Sequence, residues 1–312
     1  MIVKKINEIE YVGDTYNLEV KNNNNYFADG LCVSNCHGAK SYSITTLGNK
    51  CTNAEFRLGL TGTLPKDNSD MLNIKSVIGN TIFKLKSKDL IDSGVLSKIS
   101  IANIIFKYPK DIIDLYKPKY DPIKKKTIKT PYAQEEKFLA DYKKRNKIFK
   151  YIFSHIPDKQ NSLLIVRKRD HLKAIVDYLE ETLDDRYSIF VVHGDVSTKQ
   201  REMIRKQMEF QENAIVVATF QTFKQGINIK KLHNVILGSS MKSEITIPQT
   251  IGRGLRTHDS KERMILWDIV DDLRWSKSGI NHVFKHFKAR LGLYDEAGFK
   301  YFTKNVEFDS LT

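Results

Sequence analysis

Four residues, Gln249, Gly252, Arg253 and Arg256, set out the spacing Gln-x-x-Gly-Arg-x-x-Arg within residues 246–256. On a helix, positions i, i+4 and i+7 share one face, so Gln249, Arg253 and Arg256 can point at one spot. Two guanidinium forks and an amide converging there suit a polyphosphate, whose developing charge they can neutralise. A solvated basic helix carries the same residue types, so the rest of the chain has to decide between the two.

The elements that must hold these residues follow from the hydrophobic pattern. Over residues 161–312 strand and helix alternate. Strands are expected at 162–166, 188–192, 214–218, 235–237 and 264–269, and helices at 170–182, 197–209, 244–255 and 281–291. Ser197 and Gln200 form a capping-box pattern at the start of one helix. Such alternation predicts a parallel α/β sheet with ligands at the carboxyl ends of its strands. Upstream, the pattern predicts a strand at 56–60, a helix at 67–78, a strand at 81–85, a helix at 87–93 closed by Gly94, and a strand at 96–106 crossing to the next domain. Residues 107–130 hold eight lysines (Lys107, Lys110, Lys117, Lys119, Lys124, Lys125, Lys126 and Lys129) and three prolines, and read as a basic linker, solvated or touching phosphates. A single helix is expected over 133–155, with Phe138, Tyr142, Ile148, Phe149 and Ile152 as core positions.

At 312 residues the chain is long enough for two domains, and no apolar run reaches the roughly 18 residues of a membrane span. The alternating, acid-containing N-terminus is not a signal peptide. Three cysteines, Cys32, Cys36 and Cys51, make neither a metal-ligand pattern nor an even disulfide set, which points to a reducing cytoplasm. The net charge of +14 favours a polyanionic partner, most simply nucleic acid. That charge is uneven. Residues 1–35 carry three lysines against five acids, a net of −2, so the other 277 residues carry +16. This leader reads as short strands (2–9, 15–20, 26–28, 31–34) joined by turns at Gly13-Asp14, 22–25 and Asp29-Gly30. Thirty-five residues cannot bury a stable core alone, so the leader should need a partner.

The segment from Tyr16 to Val20, then Tyr26-Phe-Ala-Asp-Gly-Leu-Cys-Val-Ser-Asn35-Cys36, resembles the C-terminal end of an intein. The resemblance implies that the Asn35 side-chain amide attacks its own backbone carbonyl, cleaving the chain through a succinimide. Cys36 would first accept an acyl group as a thioester and then pass it to its freed amine. A leader beginning at its own Met resembles the C-terminal half of a split intein, whose N-terminal half is a separate polypeptide. The sequence departs from the family at Ser34, where many inteins carry histidine, and at Asn23 and Asn24, where many carry an acid and a histidine.

Beyond the junction the chain resembles superfamily 2 helicases. Cys36-His37 looks like the second half of an Asp-Glu-x-His motif II, whose acids would lie on the upstream polypeptide. Thr61-Gly-Thr63 resembles motif III and residues 162–167 motif IV. The run from Ala218 through Thr219, Thr222, Gly226 and Asn228 resembles motif V, and Gln249 to Arg256 motif VI. The Met241-Lys-Ser-Glu-Ile, Trp267-Asp-Ile-Val-Asp-Asp272 and His286-to-Tyr294 stretches resemble helicases of T-even-type bacteriophages that act on branched DNA. No Gly-x-x-x-x-Gly-Lys-Ser/Thr occurs in the chain, so alone it should not hydrolyse ATP efficiently.

The expectation is therefore a RecA-like α/β chain: an intein fragment at 1–35, the end of a first helicase domain at 36–106, a basic connector at 107–160 and a complete second domain at 161–312. Joined in trans to its N-terminal half, it would be an ATP-dependent DNA helicase using ATP and Mg²⁺ in a bacterial host's cytoplasm. Asn35 and Cys36 would carry splicing. Gly226, Asn228, Gln249, Arg253 and Arg256 would face nucleotide, with His37 linking motif II to Gln249. Thr63, Arg167, Thr219 and Thr222 would face nucleic acid, and no protein metal site is expected. The alternative is a non-catalytic nucleic-acid-binding fragment with an inert β leader.

Overall fold

The computed structural model describes residues 25–28, 31–35, 46, 50, 56–60, 64, 67–84, 87–123, 125–128, 130–224, 229–241, 246–276 and 279–311. The chain divides into two compact units, Met1–Phe83 and Lys84–Thr312.

In the first unit, strands β1 (Asn25–Ala28) and β2 (Leu31–Asn35) form an antiparallel hairpin, and β3 (Phe56–Leu60) lies parallel to β2. The two late leader strands thus exist, as does the strand at 56–60. Rather than standing apart, the leader strands share one sheet with β3, in the order β1-β2-β3. The helix Asn68–Val77 follows. Its N-cap Asp67 accepts the backbone N–H groups of Ser69 and Asp70, satisfying two of the donors a helix start leaves free. The strand expected at 81–85 does not form over the described residues 81–84. Ile82 and Phe83 are 83% and 72% exposed, so the apolar alternation there has no sheet to join. Strands expected before residue 25 lie outside the described residues.

The second unit is built on a seven-stranded sheet. Its strands are β4 (Lys98–Lys107), β7 (Ser162–Val166), β8 (Ser188–Val192), β9 (Ala214–Thr219), β10 (Asn234–Leu237), β11 (Arg263–Asp272) and β12 (Tyr301–Glu307). A separate two-stranded hairpin pairs β5 (Lys119–Asp121) with β6 (Lys126–Ile128). The sheet order is β12-β4-β11-β10-β7-β9-β8, and every neighbouring pair is parallel. Strands β7, β9 and β10 are buried along their whole length, as continuous apolar runs in a parallel sheet covered on both faces should be. Side chains alternate between the two faces. Leu164, Val166, Ile215, Val217 and Ile236 pack with Phe149, Ile152, Ile175 and Leu179 of the helices Lys147–Ser154 and Arg169–Thr182. Leu163, Ile165, Val216, Ala218 and Leu237 pack with Met208, Ile251 and Leu255 on the other side.

Several elements differ from the sequence expectation. Residues 84–106, read as the tail of the first domain, belong to this unit, because β4 enters its sheet between β11 and β12. The basic segment 107–130 is more than a linker. It contains the helix Lys110–Tyr116 and the β5–β6 hairpin, and Tyr108 and Tyr116 are buried. The single helix expected over 133–155 is two α-helices, Tyr132–Asp141 and Lys147–Ser154, joined by a 3-10 turn at Lys143–Asn146. The break falls at Tyr142, whose extended ψ of 91° ends the first helix, and Tyr142 stacks on Phe138 at 5.0 Å. The core positions proposed there hold: Ile148, Phe149 and Ile152 are buried, and Phe138 and Tyr142 pack at the edge of the same core. The last helix runs on to Ala297, where Gly298 at φ 69° takes up the left-handed cap, and β12 follows as a further strand. Among the described residues no helix is long and apolar enough to cross a membrane.

Candidate nucleotide and nucleic-acid site

Because the seven strands are parallel, their carboxyl ends gather at one edge. Arg167 and Lys168 follow β7, and Thr219 ends β9. Gly238, Ser239 and Ser240 follow β10, and Asp272 closes β11. Register places Leu237 opposite Ile165 on one side and Asp268 on the other, so β11 projects four residues past β10. Gly238 fits here because it has no side chain. A Cβ would lie 2.8 Å from Leu164 Cδ1 and 3.0 Å from Val166 Cγ1.

Under this edge lies a buried polar network. The Nε and Nη2 atoms of Arg145 each donate to Asp271, at 2.8 Å, and Nη2 also donates to the Gly238 carbonyl at 3.1 Å. The Tyr108 hydroxyl donates to Asp271 at 2.7 Å; burial above all, and then the neighbouring carboxylate, push its pKa up. His171 Nε2 faces Arg145 Nη1 at 3.5 Å. Burial, reinforced by the adjacent guanidinium, pushes the His171 pKa down to about 3, so the ring is neutral at physiological pH. Since arginine can only donate, His171 Nε2 accepts and the proton sits on Nδ1. A small cavity of about 20 Å³ borders Arg145, His171, Gly238, Ser239 and Lys168.

A second buried pair repeats the arrangement. Arg290 donates to both carboxylate oxygens of Asp268, at 2.8 and 2.7 Å, and to the Met241 carbonyl at 2.7 Å, while the Tyr294 hydroxyl donates to Asp268 at 2.9 Å. Asp272 binds Arg274 through both oxygens. The three acids of the 267–272 stretch therefore each hold an arginine. Among the described residues no three His, Cys, Asp or Glu side chains gather as a metal cluster.

The sequence-derived site residues divide as follows. Arg167 lies at the strand-end edge, half-exposed, and donates to the Tyr132 hydroxyl at 2.7 Å while pairing with Glu136 at 3.1 Å. Thr219 and Thr222 are brought together, but inward: their hydroxyls lie 2.8 Å apart and both residues are buried, Thr222 at 2% exposure. They hold the turn between β9 and the helix Phe220–Lys224 and are not displayed towards solvent.

The helix expected at 244–255 is described as Thr246–Gly254, and Leu255 closes it by donating to the Ile251 carbonyl at 3.0 Å. Arg256 therefore falls outside the helix, and the expectation that it shares a helical face with Gln249 and Arg253 is corrected. Its backbone bridges Leu96, and the Ser97 hydroxyl donates to its carbonyl at 3.1 Å. The Arg256 side chain is exposed. Gly252 has open space around it, whereas a Cβ on Gly254 would meet Met264 Cε at 3.0 Å, so it is Gly254 that lets the helix approach the sheet. Cys36, His37, Thr63, Gly226 and Asn228 lie outside the described residues, as do the side chains of Asn35, Gln249 and Arg253.

The sequence reading missed Arg145, His171, Asp268, Asp271 and Arg290. The acids carried a signal, standing in a strand that is otherwise apolar, where a charge must find a partner. Nothing in the local sequence marked Arg145.

Residues 143–258 match the helicase conserved C-terminal domain. The chain is 27% identical to the ATP-dependent DNA helicase uvsW of Enterobacteria phage T4, over 96% of this chain and 59% of that protein. It thus spans about three fifths of the curated relative it matches. The crystal structure of T4 UvsW superposes with a TM-score of 0.54 at 27% identity, covering 88% of this chain and 53% of that one. A fragment of a putative HsdR subunit of a type I restriction enzyme from Vibrio vulnificus YJ016 shares the fold, with a TM-score of 0.56 at 15% identity over 84% of this chain and 46% of its own. The second unit therefore carries a parallel-sheet α/β helicase C-terminal domain resembling that of the phage T4 helicase.

Proposed function

We propose that this chain is the C-terminal part of an ATP-dependent DNA helicase, made as a precursor that is joined in trans to its N-terminal half. The observation that carries the helicase reading is the match over residues 143–258, a range that includes Gln249, Arg253 and Arg256. This unit fits the cationic side of a nucleotide site: Arg256 is exposed just past the helix, and Arg253 lies within it. Among the described residues Asp268, Asp271 and Asp272 are bound to arginines and so are not free to serve as the metal's carboxylates. In this reading the phosphate cradle and the acids come from the upstream half, and ATP·Mg²⁺, when bound, would supply the phosphoryl group whose transfer drives the helicase. Arg253 and Arg256 stabilise charge on it, and Gln249, Gly226 and Asn228 position nucleotide. Arg167, at the carboxyl end of its strand, lines the nucleic-acid path. Thr219 and Thr222 act through the turn they brace.

In this reading residues 1–35 are the C-terminal fragment of a split intein. Asn35 cyclisation releases them, and Cys36 receives the upstream polypeptide. One observation favours a second reading. The similarity to the phage helicase covers 96% of the chain, more than the 89% that residues 36–312 comprise, and β2 pairs with β3. On that reading the leader is an uncleaved strand of a non-catalytic nucleic-acid-binding fragment.

Mass spectrometry after mixing the chain with its candidate upstream polypeptide under reducing conditions separates the two. A released fragment of residues 1–35 and a ligated product continuing at Cys36, both absent with Asn35→Ala, support splicing. An unchanged intact mass leaves the second reading.

A further inference from the structure

Lys261 is a lysine buried where a charge is costly. It is 6% exposed, and its ammonium donates to two carbonyls, Gly254 at 2.9 Å and Lys230 at 3.1 Å. Gly254 ends the helix Thr246–Gly254, whose last carbonyls have no partners within the helix and carry the negative end of its dipole. Lys230 stands in the segment that leads into β10, two residues after Asn228. One ammonium therefore joins the end of the helix before Arg256 to the segment after Gly226 and Asn228. The next two carbonyls are held by Ser97. Its N–H donates to the Leu255 carbonyl at 2.7 Å and its hydroxyl to the Arg256 carbonyl at 3.1 Å. The carbonyls of 254, 255 and 256 thus each have a fixed donor, and Lys261 supplies the first. Lys261 is itself set by the turn at 258–261, where its N–H donates to the His258 carbonyl at 2.9 Å. The Lys230 segment is set by Glu209 of the helix Thr198–Phe210, which accepts the N–H groups of Lys230 at 2.8 Å and Lys231 at 3.3 Å.

The charge is not kept for stability. Burial pushes the Lys261 pKa down from 10.5 to about 8, against the pull of the Glu209 carboxylate. A lysine that holds its proton more weakly folded than unfolded costs stability while charged. That cost is full below about pH 8 and gone above about pH 10.5. The other charged or titratable groups at this junction, among the described residues, are His233, Lys231 and His258, with Arg205 4.0 Å from Glu209. We propose that Lys261 is a positioning residue for ATP hydrolysis: its ammonium clamps the helix before Arg256 to the segment after Asn228, and so fixes the backbone from which Arg256 meets phosphate. The role rests on the helicase reading above. A charged donor holds a carbonyl roughly twice as strongly as a neutral one. The clamp is firm while the amine keeps its proton and slackens once the proton is lost.

Two measurements test this. Hydrogen–deuterium exchange on the full chain reads the clamp without the upstream protein. Lys261→Met keeps the side chain's length and removes its donors. It should speed exchange at the amides of Ser97, Gly254 and Leu255 by about tenfold or more, while the amides of β7 and β9 stay protected and show the unit folded. Unchanged exchange at these three amides overturns the clamp. In the joined helicase at about pH 7, Lys261→Met should lower the kcat of DNA-stimulated ATP hydrolysis by roughly tenfold to a hundredfold, with the KM for ATP within about threefold. The gap between the two proteins should narrow as pH rises through about 8, because the unchanged lysine then loses the charge that methionine never had. Glu209→Gln, which withdraws the carboxylate holding that pKa up, should move the fall in kcat to lower pH. Equal kcat values at pH 7 overturn the positioning role, as does a gap that stays constant with pH, which is what a lysine that merely packs would give. An unchanged joined protein that does not hydrolyse ATP overturns the helicase reading and this role with it, whereas the clamp is decided by the exchange measurement alone.

Discussion

Arg145 and Asp271 stand 126 residues apart in the chain and meet through two hydrogen bonds of 2.8 Å, both residues about 1% exposed. The pair ties the 3-10 turn before the helix Lys147–Ser154 to the carboxyl end of β11, and through Gly238 to the end of β10. Removing one member leaves the other charge buried without its counterpart, which costs about 3–5 kcal/mol. Arg145→Met should therefore lower stability by that amount in urea denaturation. Arg145→Met/Asp271→Leu should recover part of the loss. A single variant costing under about 1 kcal/mol would show the pair to be dispensable.

The neutral His171 makes stability depend on pH in a defined direction. Its pKa is pushed down to about 3 in the folded chain, against an ordinary value of 6.5. Below pH 6.5 the unfolded chain takes up a proton that the folded chain refuses. The contribution is therefore fully present above about 6.5 and is lost as pH falls towards 3, amounting to at most about 5 kcal/mol. In His171→Gln, which cannot titrate, the fall in urea midpoint between pH 6.5 and 4 should be shallower. Parallel curves for the two proteins would contradict the assignment.

Gly238 and Gly252 should respond oppositely to alanine. At Gly238 the added Cβ meets Leu164, Val166 and the Ile165 carbonyl, all within 3.2 Å, so Gly238→Ala should destabilise by about 1–3 kcal/mol. Gly252 sits in the Thr246–Gly254 helix with nothing within 4 Å, so Gly252→Ala should stabilise by about 0.5–1 kcal/mol. Thermal melting of the two variants distinguishes an obligatory close approach from a replaceable helix residue.

Arg256 should matter to turnover and little to folding. Its side chain is exposed, and its contacts to Ser97 run through the backbone. Arg256→Ala in the joined helicase should change stability by less than about 0.5 kcal/mol and reduce DNA-stimulated ATP hydrolysis by about 10³-fold or more. Unchanged turnover would remove Arg256 from the phosphate-facing set.

The sheet was largely readable from local pattern because β7, β8 and β9 are largely apolar runs of five or six residues separated by helices. Strands β7 and β8 begin and end at the expected residues, and the Ser197–Gln200 capping box forms, with Gln200 N–H donating to the Ser197 hydroxyl at 3.3 Å. What escaped was decided by distant partners. Strand β12 is exposed except at Val306, so it lacks the apolar signal of the others, and its place depends on β4. Arg145 follows exposed Lys143 and Lys144 in a run that reads as solvated, yet Asp271 draws it into the core. Conversely Ile82 and Phe83 look like strand residues and remain exposed, because no neighbour among the described residues accepts them. At the candidate site the residue types around Gln249 were legible, and the helix expected to end at 255 ends at Gly254; what sets that end was not. That end depends on Gly254 packing against Met264 and on the bridge to Leu96.

The position of β4 also governs how the chain can be synthesised. Its two neighbours are encoded far downstream: Arg263 pairs opposite Lys98, and Tyr301 opposite Ile101, 200 residues later. At roughly 5–20 residues per second, the ribosome takes about 10–40 s to deliver that last partner. During this interval the apolar run 101–106 has no sheet to enter and stands as an unpaired, aggregation-prone edge. Proteolysis of stalled nascent chains should therefore cleave around residue 101 until β11 and β12 have both emerged, and should spare it afterwards. Cleavage that stops before residue 263 has been translated would mean that another segment shelters β4 on the ribosome.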